Sequence, residues 1–108
     1  MSISLPDSVA IFFEVSNGVA PSALRHAFSE RAVVHDEGGS YRGHEAIEAW
    51  LAGAQRQYAY RVEPLTAVPD AVGVTVVAQY VGNFPGSPAD IRHVFRLSND
   101  KIENLEIH

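Results

Sequence analysis

Hydrophobic positions change their spacing about halfway along the chain, from a helical period to strict alternation. Leu5, Val9, Phe12, Phe13 and Ser16 recur at helical spacing and run out before Gly18, a natural helix stop. Ser4 and Asp7 are spaced as a capping box, and Pro6 is tolerated in a first turn, where its missing N–H would have no partner. A second, short helix is predicted to begin near Pro21 and to place Leu24, Ala27 and Phe28 on one side. Ala32 to Asp36 then read as a short strand, Glu37 to Ser40 as a turn, and Tyr41 and Arg42 as a brief return. The third helix carries the clearest stripe: Ile47, Trp50, Leu51, Ala54 and Tyr58 fall on one face, with Glu45, Glu48, Gln55 and Arg56 on the others.

From Tyr60 the period is two. Tyr60 and Val62 share a face until Pro64 interrupts, which predicts an edge or a bend. Val72 to Gly82 form a long β-rich run, and Asn83 to Pro88 a loop. Ile91, His93, Phe95 and Leu97 alternate with Arg92, Val94 and Arg96. Ser98 to Asp100 form a turn, and Ile102 to Ile107 a closing strand, so the last strands read as an antiparallel meander. Helices followed by strands describe an α+β domain.

Composition narrows the function classes. The 108 residues suit one domain spanning 1–108, and 46% hydrophobic residues suffice for a packed core. A net charge of −5, with 8 basic against 13 acidic residues and no basic run, argues against nucleic acid or an anionic membrane as partner. The chain has no cysteine, which removes disulfides, thiolate nucleophiles and Cys-based zinc sites. No apolar run approaches a membrane span and the N-terminus does not read as a signal peptide, so a soluble, cytoplasmic protein is expected.

Two residues stand out as candidate chemistry. Alternation puts Val34 and Asp36 on one strand face, and a carboxylate among apolar neighbours becomes a better base. Asp36 also has a plainer reading, as a solvated aspartate or Asx-turn acceptor opening a Gly-rich turn. His93 lies in an otherwise apolar inward row with Ile91 and Phe95, where it reads either as a donor to a substrate oxygen or as a hydrogen-bonded core histidine. Tyr41, Trp50, Tyr58, Tyr60 and Tyr80 are candidate walls of a hydrophobic pocket, joined by Val34, Ile91 and Phe95 from the inward strand faces. His35, Asp36 and Glu37 are adjacent but point to alternating faces, and His26, His44 and His108 lack ligand spacing, so no metal site is expected. No phosphate loop, nucleophile elbow or serine triad occurs, and no cofactor is expected.

The segment Phe28-Ser29-Glu30-Arg31-Ala32-Val33-Val34-His35-Asp36, followed by Tyr41-Arg42-Gly43-His44-Glu45-Ala46-Ile47-Glu48-Ala49-Trp50, resembles the nuclear-transport-factor-2-like superfamily and its SnoaL-like domains. The resemblance covers essentially the whole chain. It implies a cone-shaped, strongly curved mixed or antiparallel sheet wrapped by three helices, an α+β barrel of cystatin-like type, around an apolar pocket. By ungapped matching to the ketosteroid isomerases of that superfamily, Asp36 falls on the catalytic aspartate and His93 on the oxyanion-hole aspartic acid. Phe12 falls on the oxyanion-hole tyrosine and has no hydroxyl, but can shape the cavity. Trp50 and Leu51 lie on a helix that lines the cavity in that superfamily.

Function has to be argued from the site, since the superfamily spans isomerases, cyclases, hydrolases and dehydratases as well as members that only bind. The expectation is a pocket for a small hydrophobic molecule, with cofactor-independent acid–base catalysis by Asp36 as base and His93 as acid or oxyanion donor. The alternative is a non-catalytic ligand-binding or dimerisation module of the same fold, and a weaker one a protein–protein adaptor. The outward row Thr75, Val77, Gln79, Val81, Val94 and Arg96 is too apolar to face water comfortably. The resemblance likewise implies a homodimer through that sheet face.

Overall fold

A computed structural model describes residues 3–108. The first helix, α1 (Asp7–Ser16), starts after Pro6, whose backbone is extended, and no side chain caps it. The capping box expected from Ser4 and Asp7 does not form. A residue two before a proline could start the helix only if Leu5 turned helical, a conformation that the proline ring opposes. Asn17 caps the other end, and Gly18 takes the positive φ of 115° that turns the chain away.

A single 3-10 turn (Pro21–Ala23) leads into α2 (Leu24–Ala27), and β1 (Phe28–Asp36) follows at once. Phe28, expected on the helix, is therefore the first residue of the strand; its side chain still reaches the core, wholly buried. Glu37 and Gly38, both at positive φ, turn β1 into β2 (Gly39–Arg42). Helix α3 (His44–Gln57) buries Ile47 and Leu51, and the chain then runs through β3 (Tyr60–Pro69), β4 (Gly73–Gly82), β5 (Ala89–Ser98) and β6 (Lys101–Ile107).

The six strands form one mixed sheet in the order β2-β1-β6-β5-β4-β3. Strands β3 to β6 are an antiparallel meander, and β6 lies parallel to β1, which joins the first half of the chain to the second. The sheet is open, with β2 and β3 at its edges, and curved. Register shifts at Phe28/Val33, Pro64/Thr66 and Arg96/Leu97 supply local bends. Pro64 does not end its strand; it sits at such a shift on an edge strand, where a missing N–H is tolerated.

Helices α1 and α3 cover the inner face. Val9, Phe12, Phe13 and Val15 from α1, Ile47 and Leu51 from α3, and Val34, Val76, Ala78, Phe95 and Leu105 from the sheet meet in one core. Val74, Val76 and Ala78 are buried while Thr75, Val77 and Gln79 are half-buried on the opposite face, as strand parity requires. Polar side chains pin the helices down. Asn17 imitates a strand neighbour, donating from Nδ2 to Val62 O (2.8 Å) and accepting from Val62 N at Oδ1 (2.9 Å). Gln55 on α3 donates to Val15 O at 2.7 Å. Among the described residues no helix is long and apolar enough to cross a membrane.

Candidate functional site

Asp36 is the last residue of β1, two positions beyond the fully buried Val34 on the same face. The strand's core row thus ends in a carboxylate where the sheet opens, and Asp36 is half-buried. Trp50, projecting from α3, donates its indole N–H to Asp36 Oδ2 at 3.1 Å. The indole is held in turn by Phe12, stacked at 6.3 Å between ring centres, and by Tyr41 at 5.9 Å. The carboxylate is therefore fixed by a donor whose ring is itself packed against two others.

The cavity beside it has a volume of about 440 Å³. Asp36, Phe12, Trp50, Leu51, Tyr58, Tyr60, Tyr80 and Ile91 all line it. Val34 and Phe95 do not, because both are wholly enclosed in the core below, and Tyr41 is spent on packing against Trp50. The lining also includes Glu37, Ala54, Phe84, Pro85, Ala89 and Ile107, which the sequence did not single out as site residues. One signal was available for Phe84: an aromatic residue inside a Gly- and Pro-rich loop has no core to join unless the loop folds over a cavity. A second, more polar hollow of about 400 Å³ adjoins at Asp36, Glu37 and Ile107, and includes His35, Ser40 and Glu106. Its walls include no Phe, Tyr or Trp ring to grip an apolar ligand.

His93 is not in the cavity wall. It is fully buried on β5, one layer behind Tyr80, whose ring stacks on it at 5.6 Å. Phe12, Phe13 and Phe95 close around the imidazole. Its Nε2 lies 2.7 Å from the Tyr80 hydroxyl and its Nδ1 3.1 Å from Ile91 O. Burial pushes its pKa down from 6.5 to about 4, against the opposing pull of backbone groups at Val76 and Ile91. His93 is therefore neutral near pH 7, and what reaches the cavity is the Tyr80 hydroxyl.

Tyr60 and Tyr80 sit side by side, ring centres 5.5 Å apart. Burial raises the pKa of both phenols, and the negative charge of Asp36 adds to the rise in each; Tyr80 is raised further by Tyr60. Both remain protonated at any physiological pH. The hydroxyls of Tyr58 and Tyr80 are hydrogen-bonded to protein groups, whereas among the described residues nothing engages that of Tyr60. Among the described residues no group of three or more His, Asp or Glu side chains is placed to hold a metal ion.

The arrangement pairs one positioned carboxylate with two phenol hydroxyls across an aromatic cavity. Such a set can take a proton from a carbon or oxygen acid and meet the charge that develops on a neighbouring oxygen.

Comparison with known proteins gives the same fold. A family model described as the SnoaL-like domain matches residues 9–105. The chain is similar to the crystal structure of a proposed polyketide cyclase from Sinorhizobium meliloti, at 36% identity and a TM-score of 0.91, covering 96% of this chain and 95% of that one. A protein of ketosteroid isomerase-like fold from Catenulispora acidiphila, solved in complex with trimethylamine, is 22% identical with a TM-score of 0.84, over 97% and 86% of the two chains. A proposed isomerase of the SnoaL-like family from Agrobacterium tumefaciens is 17% identical with a TM-score of 0.77, over 94% and 92%. No curated protein sequence matches the chain.

Proposed function

The chain belongs to the SnoaL-like domain family, and from that premise we propose that it is a cofactor-independent acid–base enzyme acting on a small, largely apolar carbonyl compound. The observation that carries this reading is Asp36, a carboxylate fixed by the Trp50 indole in the wall of an aromatic cavity. The volume of about 440 Å³ falls within the range of about 300–1,000 Å³ typical of small-molecule sites. The relation to the proposed polyketide cyclase, at 36% identity, supports the same class of chemistry.

In this reading Asp36 takes a proton from a carbon next to a carbonyl. The C–H electron pair forms the new C=C bond, and the carbonyl pair moves onto oxygen. The Tyr60 hydroxyl, close enough to feel the charge of Asp36, donates to the enolate oxygen. Returning the proton to another carbon gives an isomer; attack of the enolate carbon on a second carbonyl gives a ring. His93 acts through Tyr80, the hydroxyl it is bonded to. A second copy of the chain would cover the outer sheet face, where Val81 is 51% exposed.

The test is deuterium exchange at the α carbon of 2-tetralone in D2O, followed by NMR. The wild-type protein should speed exchange, and Asp36→Asn should lower that rate by about 100-fold or more while still binding the ketone. Equal exchange in the two proteins removes Asp36 as the base. A pure binding module, favoured by the missing hydroxyl at Phe12, would bind the ketone without exchanging it.

A further inference from the structure

The hydrogen atoms of the Tyr80–His93 pair follow from its contacts together with the burial of the ring. His93 Nδ1 faces Ile91 O, and a carbonyl oxygen only accepts, so Nδ1 carries the ring proton. Burial keeps the ring neutral near pH 7, so it has no second proton. Nε2 is then a bare lone pair 2.7 Å from the Tyr80 hydroxyl, and Tyr80 must donate. The hydroxyl proton is turned back into the core, and the cavity meets only the oxygen lone pairs of Tyr80.

We propose that His93 is a positioning residue that fixes Tyr80 as a hydrogen-bond acceptor toward the cavity, so that the site prefers ligands bringing an O–H or N–H to Tyr80 over isosteres bringing an ether or carbonyl oxygen. The inference rests on reading the cavity as a ligand site. The Tyr80 hydroxyl is the one hydrogen-bond partner of Nε2 among the described residues, and the stacked Tyr80 ring with Phe12, Phe13 and Phe95 surrounds the imidazole with aromatic side chains. Tyr60, beside Tyr80, has no protein acceptor for its proton among the described residues and is free to donate. One buried imidazole thus gives two neighbouring phenols opposite polarity. A substrate suited to both carries a hydroxyl or amino group near its carbonyl, the donor on Tyr80 and the acceptor on Tyr60.

Two measurements test this. Nitrogen-15 NMR of the His93 ring should show Nδ1 protonated and Nε2 bare; the reverse tautomer overturns the proposal. Calorimetric binding of 2-naphthol and 2-methoxynaphthalene should favour the naphthol by about tenfold, the cost of leaving one buried acceptor unpaired. In Tyr80→Phe the ratio should fall close to one, through loss of naphthol affinity and not of the ether's. That ratio is a readout that a merely structural role for the pair would leave unmoved. Equal affinities in the wild type, or a ratio unchanged in Tyr80→Phe, overturn the proposal alone. Failure of both naphthalenes to bind overturns the ligand-site reading, and the proposal with it.

Discussion

Acid should weaken this fold through His93. The ring is wholly buried and its pKa is lowered from 6.5 to about 4. Between those values the unfolded chain binds a proton that the folded chain refuses, so stability is complete above about pH 6.5 and falls as the pH drops toward 4. At 1.36 kcal/mol per pKa unit the loss is about 2 kcal/mol between pH 7 and pH 5, and about 3 kcal/mol by pH 4. That is a large share of the roughly 5–15 kcal/mol that holds a small domain together. The assay is urea unfolding followed by Trp50 emission at a series of pH values, for the wild type and His93→Gln. The glutamine amide can both accept from Tyr80 and donate to Ile91 O, without titrating. Subtracting the two curves cancels the carboxylates and the other histidines. A wild-type curve that falls about 2 kcal/mol further than the variant's by pH 5 supports the buried neutral imidazole; parallel curves refute it.

Three further outcomes follow from particular contacts. Asn17→Ala removes both bonds that tie the end of α1 to Val62 and leaves that residue's N–H and C=O without these partners, so unfolding free energy should drop by about 1–3 kcal/mol in urea titration. Gly73→Ala would place a Cβ 1.9 Å from Phe95 O, which only backbone movement between β4 and β5 can relieve; thermal unfolding should show a loss of at least about 1–3 kcal/mol. Trp50→Phe keeps the flat ring but deletes the donor to Asp36, so 2-tetralone exchange should slow by about tenfold while calorimetric affinity stays within about twofold.

The sequence pattern was a good guide to faces and a poor one to depth. The α3 stripe as far as Ala54, the alternation in β4 and β5 and the turn after Asp36 follow from local chemistry, and the structure forms each of them; Tyr58, expected on that stripe, lies just past the helix in extended backbone. Local rules failed where two signals competed. Ser4 and Asp7 had the spacing of a cap, but Pro6 between them decided where the helix could begin. At Pro64, by contrast, the expected edge or bend is what forms: the residue lies on an edge strand at a register shift. Parity put His93 and Ile91 on the inner face of β5, and both are there; it could not tell that Ile91 reaches the cavity while His93 lies behind Tyr80. That difference depends on how the sheet curves and on which ring from β4 covers the imidazole. The loop residues Phe84 and Pro85 line the cavity for the same non-local reason.

Trp50 offers the most direct test of the central claim, that an apolar ligand occupies the cavity beside Asp36. It is the only tryptophan in the chain, it lines the cavity and it is bonded to Asp36, so in the folded protein its emission responds to what enters that cavity. Titration with 2-tetralone should give a saturable, one-to-one change in Trp50 emission. Ala54→Phe, which fills the cavity from α3, should abolish that change while leaving the urea midpoint within reach of the wild type. No change in emission at any ketone concentration, or a change that survives the filled cavity, would contradict the claim.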